Sequence, residues 1–282
     1  MPPRAHPSIK AYQNERFLES RDARALRILA EYLEPLSRFN HHGVDDTIVF
    51  MGSARLVSRE AAAARLAEAE KSGEGLEAAR IAFELSAYYE AARDLAFRLT
   101  EWSKKLGHPK KRFVVCTGGG PGIMEAASRG ASEAKGLNVG LTISIPNEEF
   151  RTPYVSRELA FHFHYFFMRK FWFVYLAKAV ILFPGGFGTL DELFEILTLA
   201  QTQKLSKQLG VFMYGREYWE EVLDLEPLAE WGAISPADLK LLNWVDSPQD
   251  AFEQLRAHLM THHLVPETAQ EDRAPGIAKT RG

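Results

Sequence analysis

The chain has 282 residues, 46% of them hydrophobic and 25% charged, with a formal net charge of −3. Those values suit one large soluble α/β domain or two small ones, and a net-negative chain has no overall positive field to gather nucleic acid, although a local basic patch stays open. The single cysteine, Cys116, excludes an intrachain disulfide framework, and no stretch reaches the ~18 apolar residues of a membrane span.

Residues 1–20 are polar, carry three prolines and hold no apolar run of signal-peptide length, so loose order and a cytoplasmic location are expected. From 21 to 39, Leu26, Ile28, Leu29, Tyr32 and Leu33 recur at helical spacing. This predicts an N-terminal helix that packs against the main domain or a partner subunit, and residues 1–40 read as an extension. Between 41 and 264, β-rich apolar runs at 47–51, 113–116, 139–145, 179–183 and 211–214, with a weaker one at 241–245, alternate with helical patterns. That alternation predicts an α/β domain with a parallel sheet and helices on both faces. Residues 57–86 predict one or two charged surface helices broken at KSGEG, followed by a separate helix over 88–106 with Leu95, Leu99 and Trp102 facing the core. The last stretch, 265–282, is polar with Gly and Pro, and is expected to be a disordered tail.

Two strand–loop–helix junctions carry the chemistry. In the first, FVVC-TGGGPG-IMEAA, Gly118, Gly119, Gly120 and Gly122 separate a strand from a helix expected to begin near Pro121. In the second, AVILF-PGGFGTLDE, Gly185, Gly186 and Gly188 do the same. Glycines let backbone amides approach a ligand, and a helix N-terminus favours an anion, most naturally phosphate. Neither loop matches the dinucleotide or nucleoside-triphosphate glycine fingerprints. Thr189 and Glu192 read two ways: as a capping box closing the helix start, or as a helix start with a carboxylate beside a phosphate loop. Spacing leaves both open. His162 and His164 lack partners at metal-ligand spacing, and on a helix residues two apart do not share a face, so a metal site is not expected. The surrounding aromatics suit packing, a base pocket or a dimer interface.

TGGGPGIMEAA, HYFFMRK and PGGFGTLDE, with Gly52-Ser53 after the first strand, resemble the hallmark segments of the LONELY GUY family, long described as lysine decarboxylases. The resemblance spans roughly residues 45–260 and is to the longer bacterial branch. The 57–86 stretch looks like an insertion, and the N-terminal helix like an extension. The resemblance implies a Rossmann-like, doubly wound sheet and hydrolysis of the N-glycosidic bond of nucleoside 5′-monophosphates, such as AMP or N6-substituted cytokinin forms, to free base and ribose 5-phosphate. It implies Arg169 and Glu192 as the catalytic pair. Gly52, Ser53, Gly118, Gly119, Gly120, Gly122, Met124, Glu125, Lys170, Gly185, Gly186, Gly188 and Thr189 would contact substrate. No metal or cofactor is required, and at least a homodimer with sites near the subunit interface is implied. Bond cleavage develops positive charge on the ribose, which a carboxylate can stabilise or answer with an activated water. Arg169 would hold phosphate or ribose, or assist the leaving base. Two alternatives stand beside this: a non-catalytic nucleotide-binding or sensing protein, and a decarboxylase, which needs a Schiff-base lysine that no motif identifies.

Overall fold

The structure is a computed structural model and describes residues 8–144, 152–202, 204–205 and 207–264. The expected tail at 265–282 and the end of the third apolar run at Ile145 lie outside the described residues. The helices are α1 (Glu15–Leu18), α2 (Arg24–His41), α3 (Arg59–Ser72), α4 (Leu76–Lys104), α5 (Ile123–Glu133), α6 (Phe166–Tyr175), α7 (Phe187–Gln201), α8 (Arg216–Val222), α9 (Glu226–Glu230) and α10 (Pro248–His263). The strands are β1 (Thr47–Met51), β2 (Val114–Thr117), β3 (Asn138–Ile143), β4 (Ala160–Phe163), β5 (Ala177–Leu182), β6 (Gly210–Tyr214) and β7 (Leu242–Val245). They form one sheet in the order β4-β3-β2-β1-β5-β6-β7, with every pairing parallel. The order runs outward in both directions from β1, the mark of a doubly wound Rossmann-like sheet. Among the described residues no helix is long and apolar enough to cross a membrane.

The period-two alternation of β1 builds the two faces. Val49 and Met51 join Cys116, Leu141, Trp172, Val180 and Leu193 on one side. Ile48 and Phe50 join Leu95, Leu99, Val115, Ile123, Ile181 and Leu255 on the other.

Two expectations need correction. Residues 161–163 are not helical: β4 is an edge strand, with Phe161 and Phe163 buried and Ala160 and His162 exposed. Its four residues alternate at period two, but the aromatic run that continues into α6 hid the change of period. The helical argument against a His162–His164 pair therefore fails. His162 instead has both ring nitrogens bonded, Nδ1 to Thr142 Oγ1 and Nε2 to Ser144 Oγ, each at 2.9 Å. The second correction joins the predicted helix at 88–106 to the second half of the predicted 57–86 stretch. KSGEG does break the chain, with Gly73 left-handed after α3 and Gly75 left-handed before α4. No glycine or proline follows until Gly107, so α4 runs unbroken and carries the core contacts of Leu95 and Leu99.

The apolar residues of α2 fall on two faces. Ile28, Tyr32, Leu36 and Phe39 pack onto the core, whereas Leu26, Leu29 and Leu33 are exposed. Glu31 fastens this helix to α6: its carboxylate accepts from the amides of His164 (2.8 Å) and Tyr165 (3.2 Å), and its carbonyl accepts from Trp172 Nε1 (2.9 Å). Charged hydrogen bonds of this kind are worth about 1.5–3 kcal/mol. Glu31→Ala should therefore lower stability in urea denaturation by about 2 kcal/mol; no change would mean that α2 is not anchored through this carboxylate.

Candidate active site

The carboxyl ends of β1, β2 and β5 meet where the strand order reverses, the place where open α/β sheets bind ligands. Gly52 and Ser53 leave β1 between the two glycine loops. The Ser53 amide donates to the Pro184 carbonyl at 2.9 Å, and its own carbonyl accepts from the Ile123 amide at 3.1 Å. A Cβ on Gly52 would lie 2.7 Å from the Ile123 side chain, so the crossing admits no side chain.

In the first loop Gly119 and Gly122 both have φ of +70°, a region that L side chains rarely adopt. The Gly119 amide is held by Thr117 Oγ1 at 3.0 Å, and Gly122 crowds the Ser53 carbonyl. Met124, from the first turn of α5, packs over Gly118 and Gly120. Helix α5 starts at Ile123, so Pro121 stands before the helix and not in its first turn as expected. Glu125 accepts a hydrogen bond from the Tyr89 hydroxyl at 2.8 Å, which ties the loop helix to α4.

The second loop differs. Gly185 is packed against the Thr189 side chain, but a Cβ on Gly186 or Gly188 would meet nothing within 4 Å, and neither residue has positive φ. The protein's own packing therefore does not call for glycine at either position. Helix α7 begins at Phe187 with Gly186 as its N-cap and no side-chain cap. Thr189 is the third helical residue, so the capping-box reading of Thr189 and Glu192 does not hold. Its amide-rich N-terminus is left open to an anion.

Glu192 is 9% exposed, and among the described residues neither a hydrogen bond nor an ion pair within 4.0 Å holds its carboxylate. Burial pushes its pKa up to about 7, against the opposing pull of Arg169 and Lys170. Arg169, on α6, is itself pushed below the ordinary arginine range by burial, with Glu192 acting the other way. Its Nε donates to the Leu141 carbonyl at 2.7 Å, and a Cβ on Gly118 would lie 2.5 Å from its Nη2. The guanidinium thus lies along the first loop while sensing the carboxylate beside the second. Lys170 is engaged elsewhere: it bonds Asp191 at 2.7 Å and Glu195 at 2.9 Å, clasping α6 to α7. Burial works against its charge, but these pairs hold its pKa above the ordinary lysine range.

All the residues expected at the site therefore lie on the loops and helix starts around the ends of β1, β2 and β5 or on α6, although Glu125 and Lys170 are occupied by protein partners. Sequence reading missed three supports: Thr117, the Leu141 carbonyl, and Tyr218, whose hydroxyl donates to the Gly185 carbonyl at 2.9 Å. Thr117 opens the TGGGPG segment and was within reach; Leu141 arrives from β3 and Tyr218 from α8, and neither carries a local signal.

Residues 124–255 match the family model described as "Possible lysine decarboxylase". That span begins just after the first glycine loop and is narrower than the 45–260 of the sequence resemblance. A "Probable cytokinin riboside 5′-monophosphate phosphoribohydrolase" of Oryza sativa subsp. japonica is 29% identical over 89 residues, 32% of this chain and 42% of that protein. A cytokinin riboside 5′-monophosphate phosphoribohydrolase of Arabidopsis thaliana is likewise 29% identical over 89 residues, with the same 32% and 42% coverage. The matched stretch spans less than half the length of these curated relatives. Among solved structures, the molybdenum cofactor carrier protein of Chlamydomonas reinhardtii is similar with a TM-score of 0.44 and 15% identity, covering 76% of this chain and 98% of that one. The glycine, arginine and glutamate segments and the family match, which spans just under half of the chain, make it similar to the LONELY GUY family, whose model carries the lysine decarboxylase description.

Proposed function

We propose that the protein hydrolyses the N-glycosidic bond of nucleoside 5′-monophosphates, AMP or N6-substituted adenosine monophosphates, to free base and ribose 5-phosphate. The observation that carries this reading is Glu192: a buried carboxyl without a protein partner, brought to about 7, one turn beyond an open helix N-terminus. Gly188 and Glu192 are four residues apart on α7, hence on one face and about 6 Å apart along the axis. A 5′-phosphate on the α7 amides would extend its ribose toward Glu192. There the ionised carboxylate would stabilise the positive charge that develops at C1′ and take a proton from the attacking water. Arg169 would complement the anion from the side of the first loop. A protein that only senses nucleotides has no use for a buried carboxyl of this kind. Pyridoxal phosphate chemistry does not fit the residues present. Lys170 is held charged by its ion pairs, and Lys207, which burial brings down to about 7, donates to the Val174 and Tyr175 carbonyls at the opposite end of the sheet.

A homodimer is part of the same proposal. Next to the site, α6 and α7 expose Phe166, Phe167, Phe187 and Phe194, with Phe187 93% exposed. Apolar exposure of this kind usually marks an interface.

Three outcomes are expected. Glu192→Gln should nearly abolish release of adenine from AMP, read by chromatography. Because burial raises this group from 4.5 to about 7, the native state keeps a proton that the unfolded chain has lost, and native stability falls as pH rises through that window. The neutral glutamine should therefore be more stable than wild type by about 3 kcal/mol at pH 8, with the gain shrinking below about 1 kcal/mol at pH 5. Full activity, or equal stability at both pH values, defeats the assignment.

Gly188→Ala should leave the ligand-free protein as stable or up to ~1 kcal/mol more so, because alanine is the better helix former. It should raise KM for AMP about tenfold, a 1.4 kcal/mol loss, and adenosine should be a poor substrate of either protein. Unchanged KM, or equal turnover of AMP and adenosine, removes the phosphate from α7. Phe166→Glu with Phe194→Glu should convert a dimer into a monomer in sedimentation; a wild-type protein that is monomeric at micromolar concentration removes the interface.

A further inference from the structure

At the other end of the sheet, below the amino ends of β2 and β3, lies a cavity of about 310 Å³. This is within the size range of small-ligand pockets. Lys104, Lys110, Lys111, Arg112 and Lys135 line it, and no aspartate or glutamate does. That concentration of one sign is at odds with a chain whose net charge is −3. Three of the cations have carboxylate partners set outside the lining: Lys104 with Glu101 at 2.7 Å, Lys110 with Asp45 at 3.0 Å and Arg112 with Asp46 at 2.6 Å. Lys111 donates to the His42 carbonyl, which carries no charge. Among the described residues Lys135 has neither an ion-pair partner nor a side-chain hydrogen bond.

Two further observations fall on the same lining. The non-glycine residues with positive φ among the described residues are Phe113 (54°) and Lys135 (53°), and both border this cavity. Such conformations cost energy and cluster where a site needs them. Thr100 also lines the cavity; it is 6% exposed, and its hydroxyl has no hydrogen-bond partner among the described residues. A cleft lined by one sign of charge focuses its field on a complementary ligand.

We propose that this cavity is a second, anionic-ligand site, separate from the glycine loops, which holds the polyphosphate group of a small molecule. A single phosphate would fill only part of a cavity of about 310 Å³, and the cavity is too small and too local to track a nucleic acid strand. The inference does not rest on the proposed hydrolysis.

The test is calorimetric titration of the full chain with inorganic tripolyphosphate, with excess ribose 5-phosphate present to fill the glycine loops. One equivalent should bind, more weakly at high salt. Lys111→Glu and Lys135→Glu should each weaken binding about tenfold or more, while Lys135→Arg retains it and adenine release from AMP is unchanged in all three. Binding that ribose 5-phosphate displaces, or that ignores both charge reversals, overturns the proposal. So does tripolyphosphate binding no tighter than inorganic phosphate, or a single-stranded RNA oligonucleotide binding at the same lysines more tightly than tripolyphosphate.

Discussion

The site depends on one residue's backbone. Ser53 leaves the central strand and bonds in both directions, its amide to Pro184 of the second glycine loop and its carbonyl to Ile123 at the start of α5. These two bonds hold the loops of β2 and β5 on either side of β1, so that two helix N-termini converge on one volume. The constraint is steric as well as polar: side chains at Gly52 or Gly122 would collide with Ile123 or with the Ser53 backbone. The strand order makes this geometry available, because connections leave β1 and β5 toward opposite sides and open a crevice between them.

The charges in that crevice are arranged at a cost. Glu192 and Arg169 are both disfavoured in their ionised forms by burial, yet no ion pair within 4.0 Å joins them to each other. A direct bond would have neutralised both and drawn Glu192 back toward an ordinary carboxylate. Instead Leu141 holds the guanidinium from the side, and Asp191 and Glu195 absorb the charge of Lys170. Glu192 is left poised near neutrality, where proton exchange with a reacting group is easiest.

The N-terminal segment belongs to this arrangement. Glu31 bonds the amides that lead into α6, and Tyr32 lies against Phe171 and Trp172 of that helix. Because Arg169 and Lys170 sit on α6, the placement of the site's cations depends on a helix contributed from before the first strand. The exposed Leu26, Leu29 and Leu33 leave the opposite face of α2 outside that role.

Local pattern determined much of this protein by itself. Five strong apolar runs became β1, β2, β3, β5 and β6, because a strand buried on both faces must be apolar at nearly every position. The two glycine loops were legible as motifs because short-range spacing places them, whereas Arg169 and Glu192 stood out only through the family resemblance. Strand β4 was not, since four alternating residues next to an aromatic helix carry too little period to separate strand from helix. The fate of Thr189 and Glu192 also lay beyond spacing. Whether the helix has its N-cap at Gly186 or at Thr189 depends on how the loop packs against Ser53 and Tyr218, which come from distant parts of the chain. The raised pKa of Glu192, the diversion of Lys170 into ion pairs and the basic cavity at the amino ends of β2 and β3 were likewise decided by tertiary structure, because burial and charge proximity arise only when remote segments meet.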